Sequence, residues 1–233
     1  MLIHVTHFIP MNCLQLRNQI QTLFNGTAFR RPLFSQYQGG LRFELSEGRD
    51  YLHQFLTAHR KGMEICRALF TESDQVTLCV RIHAGKSSLS CLQAIRALRE
   101  VRLFPVGYKD YWTEPDDHDE TADGHEVHQW HCLAFQMPAH LLQNVLWCAF
   151  ACDFGSIKPR VQALFYIFDF DREIMLFPYD DRGMDVVCPN KLLLKDLYQK
   201  FSHYLLPSER TIMDATFASM EFIEIVDNYL PHT

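Results

Sequence analysis

Two groups of residues in this 233-residue chain have the types and spacing to do chemistry. The first is Asp180, Asp181, Arg182, Gly183 and Asp185, which fall on or beside one turn. Carboxylates so crowded could bind a cation, or divide the roles of acid and base between them. Aspartate is also frequent in turns because its side chain accepts from nearby backbone N–H groups. No histidine or nucleophile stands at a recognisable spacing from this group, so the turn reading is the stronger. The second group is His125, Glu126, His128, His131 and Cys132. A zinc-protease helix needs two histidines four residues apart with a glutamate between them. Here the histidine spacing is three. On a strand, His128 and Cys132 would share one face while His125 points to the other. Cys148 and Cys152, on one face of a helix, could complete a set. No closed four-ligand pattern emerges, so no metal and no cofactor is expected, and solvated histidines beside buried thiols are the simpler reading.

A third fragment, Gly85-Lys86-Ser87, follows an apolar strand and precedes a helix, the setting of a phosphate loop. The full motif requires a glycine where this chain has Val80, and without it the backbone cannot wrap a phosphate. Ser87 or Ser88 capping the next helix explains the fragment better. No nucleophile elbow, dinucleotide fingerprint or Cys-x-x-Cys pair is present. No catalytic residue is assigned on these grounds.

The elements that must position these groups are legible from hydrophobic period. Residues 161–188 read as three antiparallel strands. Val161 to Phe168 is nearly unbroken apolar, as for a strand covered on both faces. Asp169 to Arg172 reverses the chain, Glu173 to Tyr179 returns, and Asp180 to Gly183 turns it again into Met184 to Cys188. Gly183 is expected to take a positive φ in that turn. Upstream, Asn12 caps a helix over 13–24, with Leu14, Leu16, Ile20 and Leu23 in its apolar set. Leu41 to Leu45 alternates as a strand, and Arg42 and Glu44 share its polar face, from which an ion pair could reach the 180–185 turn. Leu52, Phe55, Leu56, His59, Met63, Cys66 and Leu69 mark a helix over 51–70. A strand over 76–82 follows, then a helix over 88–99 with Leu89, Leu92, Ile95 and Leu98 inward, and an extended stretch over 101–108. A strand over 128–137, a helix opened by Pro138, and helices over 190–204 and 208–229 complete the list. The fold expected is a single α+β domain, with a mostly antiparallel sheet centred on 161–188 and flanked by amphipathic helices.

Composition is that of a globular protein, 48% hydrophobic and 21% charged. A net charge of −6 argues against a general nucleic-acid or anionic-membrane binder. The eight scattered cysteines read as buried small hydrophobes in a reducing cytoplasm. Neither a signal peptide nor an apolar run long enough to span a bilayer is evident. The negative charge is unevenly placed. Residues 110–157 hold nine carboxylates and no lysine or arginine, so this span carries −9 and the rest of the chain +3. Its acidic core, 113–126, reads as a mobile loop. Glu114, Asp116, Asp117, Asp119, Glu120, Asp123 and Glu126, together with Trp130, make it a candidate partner-binding face, an acidic rim around an aromatic anchor.

Ordered pieces of the chain resemble a bacterial family of unknown function marked by an "RFE" strand and a "YDDRG-D" turn. They are Pro32-Leu33-Phe34 with Leu41 to Leu45, Arg67 to Phe70 leading into Asp74, Ala163 to Phe168, Tyr179 to Val187, Leu197-Tyr198, and Leu205 to Phe217. Such proteins are similar to small, variable immunity partners of polymorphic toxins. The resemblance therefore implies a non-enzymatic, cytoplasmic protein that neutralises a cognate toxin by binding it. A cationic toxin domain would suit an acidic face. Oligomeric state stays open. The rival reading is a small hydrolase or metal-dependent enzyme using Asp180, Asp181 and Asp185, or the 125–132 cluster.

Overall fold

The computed structural model describes residues 12–48, 50–84, 89–105, 110–116 and 129–218. Helix α1 spans Cys13–Leu23. Its start is closed by a reciprocal box: Gln15 N–H donates to Asn12 Oδ1 and Asn12 N–H to Gln15 Oε1, both at 2.9 Å. Such caps are worth about 1 kcal/mol. Cys13, Leu16 and Ile20 face inward, while Leu14, expected in the apolar set, is exposed. Strand β1 is Leu41–Glu44, and α2 follows over Tyr51–Leu69, capped by Asp50. The buried stripe of α2 runs through Phe55, Ala58, Gly62, Ile65 and Leu69, leaving Leu52 and Leu56 in solvent. Gly62 marks the close approach of α2 to its neighbours, where an added Cβ would stand 3.1 Å from Leu146 and Met184.

The remaining elements are β2 (Gln75–Ala84), α3 (Leu89–Glu100), β3 (Trp112–Pro115), β4 (Gln129–Pro138), α4 (Leu142–Phe150), β5 (Leu164–Asp169), β6 (Ile174–Asp180), β7 (Gly183–Val187) and α5 (Lys191–Lys200). A further helix, α6, is described over 210–218; the rest of its expected length lies outside the described residues. Helix α3 buries Leu98 as expected and Ala94 besides, whereas Leu89 and Leu92, expected inward, are exposed. Past α3, residues 101–104 turn instead of extending, with Arg102 at φ +60°, and 106–109 lie outside the described residues.

The seven strands among the described residues form one antiparallel sheet in the order β1-β7-β6-β5-β2-β4-β3. The expected meander is present as β5-β6-β7, and β5 is the middle strand of the seven. The sheet is covered on both sides, which explains the unbroken apolar run. Phe165 and Ile167 pack with α2, α4 and α5, whereas Tyr166 and Phe168 pack with α1 and the segment through Phe24, Ala28 and Leu33. Each of these β5 residues is fully buried. Each contributes about 1.5–3 kcal/mol of apolar transfer free energy.

Alternation along the strands puts a distinct set of side chains on the α1 face: Arg42, Arg81, Trp130 and Asp185. Gly183 departs from expectation. It does not take a positive φ; Gly26, Gly39 and Gly48 do. Glycine is required there for space, because an added Cβ would lie 2.1 Å from Tyr179 Oη and 2.3 Å from the Phe43 carbonyl oxygen.

Candidate binding site

The pieces Pro32-Leu33-Phe34, Leu41 to Leu45 and Tyr179 to Val187 come together at the β1–β7 edge. Asp185 has no exposed surface. Arg42, its register partner on β1, donates from Nε to Oδ1 at 2.7 Å and from Nη2 to Oδ2 at 2.8 Å. Leu33 and Phe34 add backbone N–H donors to Oδ2 at 3.0 and 3.2 Å. The Arg42 guanidinium lies over the Phe34 ring at 4.4 Å and near the Tyr179 ring at 5.2 Å. Burial raises the Asp185 pKa against the opposing pull of Arg42 and the two N–H donors. Burial opposes the Arg42 charge in turn, but its bonds to Asp185 prevail and its pKa is raised. This is a structural knot that ties the loop before β1 to the sheet. Glu44, exposed and opposite Gly183, takes no part in the Asp185 pair.

Across the turn, Asp180 is held by its own neighbour. Arg182 donates its backbone N–H to Oδ1 at 2.8 Å, and its guanidinium Nε and Nη2 to Oδ2, the former at 2.9 Å. Asp181 is buried, and burial, with the charges of Asp180 and Asp153, lifts its pKa to about 6. The three turn aspartates do not converge on one point: Asp185 points to Arg42, and Asp180 folds back on Arg182.

Only part of the histidine and cysteine set falls among the described residues. His125 and His128 lie outside the described residues, as do Gly85, Lys86 and Ser87. His131 stacks on Tyr111 and contacts the Gln129 amide at 3.1 Å. Cys132, the next residue, points into the α1-side core, and burial pushes its thiol to about 12. Cys148 belongs to the core on the opposite face of the sheet. Among the described residues, no group of three or more His, Cys, Asp or Glu could hold a metal ion.

The acidic span is partly neutralised. Glu114, expected in a loop, sits on β3 directly across from Trp130. Its carboxylate accepts from Arg81 Nη2 at 2.9 Å and from Trp112 Nε1 at 2.8 Å, and Arg17 Nε is 3.7 Å away. Asp116 pairs with His83 Nε2 at 2.8 Å. Asp117, Asp119, Glu120, Asp123 and Glu126 lie outside the described residues. Trp130 is half-buried, with one neighbour in the Arg81 guanidinium at 4.8 Å and another in the His83 ring at 4.9 Å.

These groups line a cleft of about 530 Å³ that the sequence does not reveal. Its walls include Arg17 and Gln21 of α1, Phe29, Arg30 and Arg31 of the following segment, Arg81 of β2, Glu114 of β3, Asp116, and Trp130 of β4. Arg81 is clamped between the Phe29 and Trp130 rings, with its guanidinium 4.3 Å from the first and 4.8 Å from the second. One trace exists in the sequence: an arginine in the otherwise apolar run Val76 to Ile82, where a buried charge demands a partner.

Among the described residues no helix is long and apolar enough to cross a membrane. No curated protein and no solved structure matches the chain. Residues 16–209, which include the Arg42–Asp185 knot and the cleft, match one family, so the chain belongs to the Domain of unknown function family DUF3885.

Proposed function

We propose that this protein is a non-enzymatic binding protein, an immunity-type partner that neutralises a cognate bacterial toxin in the cytoplasm. The observation that carries this reading is the β3–β4 edge. Glu114 and Trp130 stand opposite each other there, and in the sequence the acidic run 116–126 falls between these two strands. A half-buried tryptophan beside a run of carboxylates has the character of a binding hot spot with a charged rim. The attracting charge comes from Asp117, Asp119, Glu120, Asp123 and Glu126, since Glu114 and Asp116 are already engaged by Arg81 and His83. Two of the three turn carboxylates of the rival reading have structural partners. Asp185 anchors the loop at Leu33 and Phe34, and Asp180 anchors its own turn.

The test is co-expression with the product of the adjacent open reading frame. Rescue of growth and co-purification of the two chains are expected. Trp130→Ala, or joint neutralisation of Asp117, Asp119 and Glu120, should weaken both, whereas Asp180→Asn should leave them intact. Rescue that survives the first two variants and is lost with Asp180→Asn would favour the enzyme reading.

A further inference from the structure

We infer that the arginine cleft between α1 and the β2–β4–β3 edge is a binding site for a small phosphate monoester. This does not depend on the toxin reading. Four arginines line the cleft against two carboxylates. Glu114 is committed to Arg81, itself buried, and Asp116 to His83. Arg30 and Arg31 have no carboxylate partner among the described residues, and both are exposed. The Arg17 Nε is buried without a hydrogen-bond acceptor, since Glu114 Oε1 at 3.7 Å is too distant to serve. A buried unsatisfied donor calls for an acceptor, and an anionic oxygen is the acceptor a guanidinium favours.

The chemistry points to phosphate. Guanidinium groups present planar forks that engage phosphate oxygens in pairs, and two arginines without a carboxylate partner among the described residues match a dianion. Gln21 and Gln36 supply neutral amide donors on the same walls. The volume, about 530 Å³, suits a mononucleotide-sized molecule rather than a bare ion. Phe29 and Trp130 hold Arg81 in place, so the floor of the site is fixed before a ligand arrives.

Isothermal titration of the full chain with inorganic phosphate, adenosine monophosphate and a glutamate-rich peptide tests this. Saturable binding of adenosine monophosphate is expected. Arg30→Gln and Arg31→Gln should each weaken it by about tenfold, the scale of one charge-assisted contact. Arg210→Gln, on α6, should not change it. Both cleft variants alter exposed side chains, and an unchanged thermal midpoint will show that the fold persists. Equal affinity for inorganic phosphate would support the site and make free phosphate its ligand. Binding of the peptide alone, no binding of either phosphate compound at millimolar concentration, or binding indifferent to Arg30 and Arg31 would each overturn the inference.

Discussion

Asp185 and Arg42 face each other in the β1–β7 register and share two side-chain hydrogen bonds, with the carboxylate wholly buried. The geometry makes the pair worth more intact than halved. Removing one partner leaves an uncompensated buried charge, whereas replacing both with apolar residues does not. Arg42→Leu should therefore cost about 3–5 kcal/mol in urea denaturation. Arg42→Leu combined with Asp185→Leu should recover much of that loss. A double-mutant cycle with no coupling between the two positions would show that the pair is not what holds this edge.

Gly183→Ala should be destabilising through contact rather than backbone strain, since Gly183 lacks a positive φ. The added Cβ meets the Phe43 carbonyl oxygen at 2.3 Å, and a backbone atom cannot swing aside as a side chain can. The expected loss is about 1–3 kcal/mol, the usual cost of overpacking. Tyr179→Phe in the same background removes the hydroxyl contact and should restore only part of it. Full restoration would place the conflict at Tyr179 alone.

Asp181 gives a pH dependence of definite sign. Its folded pKa, about 6, lies above the ordinary value of 3.8, so the folded protein binds more protons than the unfolded chain between those values. Stability from this group therefore falls as pH rises through that window and is least above pH about 6. Asp181→Asn should raise the thermal midpoint at pH 7 and have a smaller effect near pH 4. A gain that is the same at both pH values would contradict the raised pKa.

Cysteine labelling should be strongly graded. Cys66, Cys79, Cys132 and Cys148 are buried, and burial raises their pKa values. Thiolates are the reactive form, so these positions should resist iodoacetamide at pH 8. Cys91 and Cys152 are partly exposed, but burial and Asp153 push Cys152 to about 12. Cys91 should thus label first, as read by mass spectrometry of the native protein. Early labelling of Cys132 would mean that the β4 face opens readily.

The meander was open to sequence reading because its apolar runs and its two turns are local patterns, and period alone defines them. The same holds for the cap at Asn12, whose side chain bonds three residues ahead. Helix α3 misled because Leu89 and Leu92 fall at helical spacing from Leu98, yet Ala94 is the position buried beside Leu98 and the other two leucines are exposed. The Arg42–Asp185 pair was half-visible: Arg42 was recognisable as a charge able to reach the turn, but its partner depended on β1 joining β7. Of the cleft, only Arg81 leaves a trace in the sequence. Arg17, Arg30, Arg81 and Glu114 come from separate elements, and only the packing of α1 on the sheet brings them together. For the same reason the acidic span looked uniformly free, although Glu114 and Asp116 have basic partners far from them in sequence.

The β1–β7 pairing also bears on how a ribosome must deliver this chain. Arg42 and Asp185 are separated by 143 positions, and chains emerge from the exit tunnel in order, at about 5–20 residues per second. The strand carrying Leu41 and Phe43 is thus in solution for several seconds before its partner has been synthesised. Until then its apolar face and its unpaired N–H and C=O groups have no native cover. A nascent chain stalled before Asp185 is a natural client for a holding chaperone, and a stop codon in that interval would release a strand that can only find its pair in another molecule.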